Sequence, residues 1–428
     1  MADVQGSGKI RWITSIGTGI LVAAAGPAIA ATSSLSGGID NRFTDNARRA
    51  SSNEQSDLET RVNVNVGYLS DPGQCTSAVD MGVGYGYWHE DTFDSEVFTN
   101  GTLQGQCELA RGLVWQASDT VSHVTRDTRG SDTQDNLTRK NVFRTGPVYT
   151  MQLTQVDQLQ FSANYENTDF EEPEEQDSER VTGTVAYNHS FSDTLQGGLS
   201  ASAERTELDT GQELDRESAV VTFNKTWVAT QVSGSLGKNR LESRFGSQSI
   251  STDGITGTFS LVREITPNSD FTLYADHRLT DRTSTLGLQF DDFNFNLTQS
   301  AAVEVTVVRT GYNTRFSDGS TFRAELSASR SDYIQTGERE EQSGIDLGYS
   351  RPITQILSWF TDVAYRHQRF EDEGAEDHLA QLSAGLDYQL SQRMDVRSAI
   401  GHQRKASDIV SRDYYENWIA VSLNYKFF

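Results

Sequence analysis

Apolar and polar residues alternate one by one along much of this chain. Between positions 418 and 427, Ile419, Val421, Leu423, Tyr425 and Phe427 take one face, and Trp418, Ala420, Ser422, Asn424 and Lys426 take the other. A period of two is the pattern of a β-strand, whose successive side chains point to opposite faces. The alternation recurs upstream, with Val181, Val185, Tyr187, Leu199, Ile345, Leu347, Leu382, Leu386 and Tyr388 on one face. Their neighbours are small or polar: Thr182, Thr184, Asn188, Ser200, Ser202, Gly344, Asp346, Gln381, Ser383 and Asp387. An aliphatic and aromatic exterior around a hydrophilic interior is the pattern of a transmembrane barrel, the inverse of a soluble one.

Reversals are expected at Pro72-Gly73, Leu109-Ala110, Val156-Asp157, Ser192-Asp193, Thr230-Gln231, Pro267-Asn268, Asp318-Gly319, Thr354-Gln355 and Ser391-Gln392. Most are spaced by roughly 37 residues, room for two strands of about 12 to 16 residues, which exceeds the ~9 to 11 a tilted strand needs to cross a bilayer. The intervening connections are acidic: Asp91 to Glu96, Asp127 to Asp135, Glu166 to Glu179, Glu204 to Glu217, Glu338 to Glu341 and Glu371 to Asp377. Every second connection of an up-and-down barrel emerges on the same side. Short turns are therefore expected at the periplasmic rim and longer acidic loops outside. The longest loops are expected from Thr125 to Asn136 and from Asp281 to Thr298. Counting back from Phe428 predicts an all-β, antiparallel, up-and-down barrel of about 20 strands, within a range of 16 to 20. Parity changes at Val307-Val308, which predicts a β-bulge there.

Near the N-terminus, Lys9 and Arg11 precede an apolar run from Ile13 to Ala28, followed by Ala28-Ile29-Ala30. That is the layout of a secretory signal peptide, giving a signal over 1–30 and a barrel over 31–428. No later apolar stretch is long enough for a transmembrane helix. A chain that spans a bilayer without such helices must close its strands into a barrel, since every backbone polar group needs a partner in lipid. The net charge of -24 and pI near 4.6 exclude a nucleic-acid partner, which requires a basic surface.

Cys75 and Cys107 lie at equal distances from the loop near Asp91, on the outward parity of consecutive strands. Directly opposed residues on one face of an antiparallel pair are close enough for a disulfide after slight adjustment. Export to an oxidising compartment would form it.

Candidate chemistry is sparse. Gly82-Val83-Gly84-Tyr85-Gly86 resembles half of a dinucleotide fingerprint but lies within a strand, so it is read as small lumen residues and no cofactor is expected. The histidines are scattered without zinc spacing. A hydrolase set near His367, His378 and His402 can be drawn, but nearly all surface histidines in such loops are solvated bystanders, and the chain is not read as an enzyme. Phe290, Asp291, Asp292, Phe293 and Phe295 mark a loop that either folds into the pore or extends the wall. Parity places Trp88, Tyr274, Phe360 and Trp418 in the lumen as candidate aromatics for stacking on sugar rings. Tyr425, Phe427 and Phe428 form the expected C-terminal signal for the barrel-assembly machinery.

The segments Gly38-Ile39-Asp40-Asn41-Arg42-Phe43-Thr44-Asp45-Asn46, Asn141-Val142-Phe143-Arg144-Thr145-Gly146-Pro147 and Ser329-Arg330-Ser331-Asp332-Tyr333 resemble β-barrel porins found with exopolysaccharide and exosortase (PEP-CTERM) gene clusters in Gram-negative bacteria. The resemblance implies an outer-membrane barrel that passes a secreted polysaccharide. The pattern itself implies a water-filled pore with a cation-favouring acidic mouth, embedded among outer-membrane lipid and lipopolysaccharide, alone or as a homo-oligomer. A nutrient porin and a non-conducting adhesin or structural barrel remain open alternatives.

Overall fold

The computed structural model describes residues 31–281, 283, 289–290, 293–294 and 302–428. Among them no helix is long and apolar enough to cross a membrane. Twenty strands form one sheet. Consecutive strands pair antiparallel, and the first, Thr32–Thr44, pairs with the last, Tyr414–Lys426, so the sheet closes on itself. Closure leaves no unpaired edge, which is what allows strands to stand in lipid.

The period-two pattern decides which face is which. Val62, Val64, Val83, Val185, Leu199, Leu236, Leu326, Leu382 and Ile419 all point outward and are exposed. A wall of large apolar side chains of this extent is unusable in water and suits acyl chains. The opposite positions carry serine, threonine, asparagine, glycine and paired charges. Gly82 shows why small residues recur there: a Cβ would meet the side-chain oxygens of Asn65 and Asn100 at 2.6 Å.

Nine short connections and both barrel ends share one rim, the periplasmic one, and the loops share the other. Turn chemistry sets the reversals. Gly112 and Gly319 adopt φ of 78° and 86°, a left-handed region where a side chain is strained.

Two expectations are corrected. The acidic stretches Glu166 to Glu179 and Glu204 to Glu217 are not continuous loops: Asp157–Phe170 runs on through Glu166 and leaves a loop only over 171–177 before Ser178–Ser192, and Leu195–Leu208 turns within three residues into Gln212–Thr226. Above the bilayer both strand faces are wet, so alternation fades while pairing continues, and the sequence imitates a loop. Nor is there a bulge at Val307-Val308. Val303–Arg315 pairs with both neighbours in unbroken register. Val303, Val305 and Val307 are fully buried on the inner face, whereas Val308 is 43% exposed outside. The inner valines pack with Tyr333 and Tyr274, so this part of the wall is apolar on its inner face, while the alternate outward positions Glu304 and Thr306 are polar. Register shifts occur instead beside periplasmic turns, at Glu108/Ala110, Ser190/Ser192, Glu264/Thr266 and Gln389/Ser391.

Cys75 and Cys107 are direct cross-strand partners with Cα atoms 4.0 Å apart and are joined as a disulfide. It clasps the hairpin of Cys75–Trp88 and Glu96–Ala110 near the periplasmic rim. Reducing it, or replacing both cysteines with serine, is expected to cost about 3 kcal/mol through the freed unfolded chain. Non-reducing electrophoresis of the denatured protein checks it: identical mobility before and after reduction, with two alkylatable thiols, would exclude the bond.

Candidate functional site: the bore and its mouth

The lumen side changes character from rim to rim. Near the periplasmic end it opens into a recess of 590 Å³ whose lining includes Asp270, Arg323, Phe360, Asp362, Asp387 and Arg397. Charges of both signs face each other there, with Arg397 Nη1 3.6 Å from Asp387 Oδ1. Higher up, alternating charges step across five consecutive strands. Arg144 pairs with Glu166, and Arg180 Nη1 lies 2.7 Å from Glu204 Oε1. Arg216 Nη2 lies 2.8 Å from the other oxygen of Glu204. Cross-strand register places Arg144 opposite Glu166, Glu166 opposite Arg180 and Glu204 opposite Arg216, while Arg180, opposite Thr206, reaches Glu204 diagonally.

Above this collar the mouth is occupied. Beyond Ser269–Thr280, the chain turns inward, and Arg180 Nη2 donates to both carboxylate oxygens of Asp281 at 3.0 Å and to Thr283 Oγ1 at 3.1 Å. Thr168 Oγ1 donates to the Thr283 carbonyl at 3.2 Å, and Arg216 Nη1 to the Leu279 carbonyl at 3.2 Å. Leu279 and Ala302 pack against Leu208, Leu214 and Leu241. This segment therefore leaves its own part of the wall and docks on strands well away from it. Burial, the largest single influence on Asp281, opposes its ionisation, but the Arg180 charge, the Thr283 hydroxyl and the Arg216 charge together outweigh it and lower the carboxyl pKa.

The second obstruction is the loop 126–136. Asn136 closes its base: its Oδ1 accepts from the Asp127 N–H at 2.9 Å and its Nδ2 donates to the Asp127 carbonyl at 2.8 Å. The tip then reaches the opposite wall. Arg129 Nη2 stands 3.0 Å from Asp372 and 3.5 Å from Glu340, and Nη1 stands 3.1 Å from Glu373. Glu338 is 3.8 Å away, the guanidinium lies over the Phe370 ring, and Lys405 Nζ donates to the Arg129 carbonyl at 3.1 Å. Desolvation works against the Arg129 charge, yet the surrounding carboxylates outweigh it and raise its pKa. Glu373 is lowered, chiefly by its hydrogen bonds from Arg412 and then by Arg129. The near side of the loop is fixed as well, through Gln134, whose Nε2 donates to the Asp94 carbonyl at 2.7 Å and whose Oε1 accepts from Trp88 Nε1 at 3.0 Å.

The residues singled out from sequence are spread over this frame. All four aromatics lie on the inner parity. Trp88 is buried under the loops against Phe93 and Ala47, and Phe360 is covered by Arg397, whose Cζ is 3.8 Å from the ring centroid. Trp418 lies under Arg42 and Tyr274 donates to Asp276 at 2.9 Å, both half-buried. Phe290 pairs with Phe293 in a two-residue ribbon, while Asp291, Asp292 and Phe295 lie outside the described residues. Tyr425 and Phe427 meet edge to face on the outer surface at 5.0 Å. Phe427 and Phe428 extend the seam by backbone hydrogen bonds with Leu35. Of the three histidines, His367 and His378 meet across a strand pair, but His402 hydrogen-bonds Asn417 instead. Arg129 and Arg180 escaped the sequence reading. A loop arginine that crosses a lumen leaves no periodic trace, though Arg180 could have been noticed as a cation on the inner parity of an otherwise neutral strand face.

A closed antiparallel barrel, greasy outside and charged within, is an outer-membrane protein of porin-like architecture, and the bacterial outer membrane is where this chain resides. Residues 342–427 match the model of the family described as "Putative beta-barrel porin 2". Among solved structures, the FrpB iron transporter from Neisseria meningitidis (F3-3 variant) is similar with a TM-score of 0.46 at 10% identity, over 92% of this chain and 81% of that one. OpdK from Pseudomonas aeruginosa, solved with vanillate, is similar with a TM-score of 0.41 at 11% identity, over 92% of this chain and 99% of that one. The trimeric form of OmpT from Vibrio cholerae is similar with a TM-score of 0.38 at 12% identity, over 93% and 100%. No curated protein matches the chain.

Proposed function

We propose that this protein is a restricted diffusion pore for small hydrophilic solutes, with a mild preference for cations. The observation that carries this reading is the polar, charge-lined bore beneath a mouth narrowed by the loop 126–136. A barrel of this strand number is too wide for its wall side chains alone to fill, so water occupies what the loops leave. Cation preference follows from the mouth, where Glu338, Glu340, Asp372 and Glu373 outnumber Arg129 and Arg412, the cations they hold, and the whole chain carries -24. The leader over 1–30 is read as cleaved before insertion.

Planar-bilayer recording of the refolded protein tests this. Ohmic single channels with a reversal potential favouring K⁺ over Cl⁻ are expected, and the preference should shrink as salt rises, because exposed charges are screened. Electrical silence would overturn the pore; anion preference would overturn its electrostatics.

A second reading, export of an exopolysaccharide, draws on Tyr274 and Trp418, half-buried rings on the lumen side. It requires the mouth to open further than it does here. Deletion of the gene would then abolish surface polysaccharide, whereas a small-solute pore would leave it intact.

A further inference from the structure

We propose that His367, His378 and Glu376 form a transition-metal site on the outer face of the barrel, at its extracellular rim. This site is independent of the solute that the bore passes.

The register builds it. In the hairpin of Leu357–Phe370 and Ala375–Ser391, His367 is the direct partner of His378, and Arg369 that of Glu376. These four side chains share the outward parity of Val363, Tyr365 and Leu382. The imidazoles stack with centroids 4.8 Å apart and planes 17° from parallel. One ligand atom from each of His367, Glu376 and His378 lies within 4.8 Å of the others.

The distances suit a small divalent ion. Ligand atoms bound to zinc at ~2.0 to 2.1 Å in a tetrahedral arrangement stand about 3.3 to 3.4 Å apart. His367 Nε2 and Glu376 Oε2 are already 3.3 Å apart. Bringing His378 in requires a side-chain rotation only, because pairing fixes the backbone. The Tyr365 hydroxyl lies 2.8 Å from His378 Nδ1, the outer partner that typically orients a metal-binding imidazole and leaves Nε2 as the ligand. Arg369 Nε faces the other carboxylate oxygen of Glu376 at 3.8 Å, so Oε2 remains directed at the histidines. Two imidazoles and one carboxylate select zinc, copper, nickel or cobalt over calcium and magnesium. Three protein ligands leave a fourth position for water.

No zinc spacing is visible in the sequence, because the ligands meet through strand pairing. The available signal is the one that located the cysteines: His367 and His378 are symmetric about the turn 371–374.

Isothermal titration of the detergent-refolded full chain with Zn²⁺ near neutral pH tests the site, with Co²⁺ absorption as a second readout. Both cysteines are disulfide-bonded and cannot compete for the ion. One equivalent of zinc should bind, and Co²⁺ should give the intense visible bands of tetrahedral coordination. His367→Ala and His378→Ala should each weaken binding by about 30-fold or more, and Glu376→Gln by about tenfold or more. His402→Ala, on the same outer surface, should leave it unchanged. Heat-modifiable migration on gels establishes that each variant is a folded barrel. Absence of saturable binding by the native protein, or undiminished binding by folded His378→Ala, would overturn the assignment.

Discussion

Arg129→Ala opens the mouth. The variant is expected to show a single-channel conductance at least about twofold above the native value, because the narrowest part of the path dominates its resistance. Arg129 is the point where the loop 126–136 attaches to the far wall, and its guanidinium meets four carboxylates at once. One exposed ion pair is worth little, but a convergent network in a half-buried setting holds a loop in place. Arg126→Ala supplies the control, since its contact with Glu174 is exposed and should leave conductance unchanged. The network also has a pH signature. Because Glu373 has a lowered pKa in the folded protein, its contribution is complete above the ordinary carboxylate range and is lost as pH falls through the lowered value. Conductance should therefore step upward only in distinctly acidic solution, and that step should be absent from Arg129→Ala. Equal conductance for native and variant at neutral pH would show that the loop does not limit flow.

The second large effect concerns stability. Arg180 is 4% exposed and is the cation on which Glu166, Glu204 and Asp281 converge, all of them similarly buried. Arg180→Met removes a buried cation and leaves its carboxylates less compensated, at a cost of roughly 3 to 5 kcal/mol. Arg180→Lys should recover only part of this, because an ammonium cannot offer the planar fork that reaches three acids. Urea unfolding in detergent, followed by tryptophan fluorescence, measures the difference. A loss below about 1 kcal/mol would mean that water replaces the guanidinium at no great expense.

The strands and their reversals were legible because two local signals coincide: alternation imposed by lipid on one side and water on the other, and turn residues such as Pro72-Gly73 and Asp318-Gly319. The cysteine pair was legible for a related reason, since hairpin symmetry converts sequence distance into spatial proximity. The misses have separate causes. Parity marks a change of register only if inner positions are wet everywhere, and Val303, Val305 and Val307 break that condition. In fact the inner face near the mouth carries an apolar cluster. The strand extensions around Glu166 and Glu204 were read as loops because solvent on both faces erases the alternation. Arg129 and Arg180 act on elements distant in sequence, and only tertiary structure brings them together.

The seam carries a kinetic consequence. Every other neighbouring pair of barrel strands is consecutive in the chain, so it can zip from its own connection; Thr32–Thr44 and Tyr414–Lys426 have no such nucleus and must find each other across nearly the whole polypeptide. Loop-closure entropy makes this the costliest encounter in the molecule. The cylinder should thus remain an open, curling ribbon until its final moments of assembly, when one late annealing event, locked by Arg42 and Arg49 on Glu416, turns a sheet into a channel.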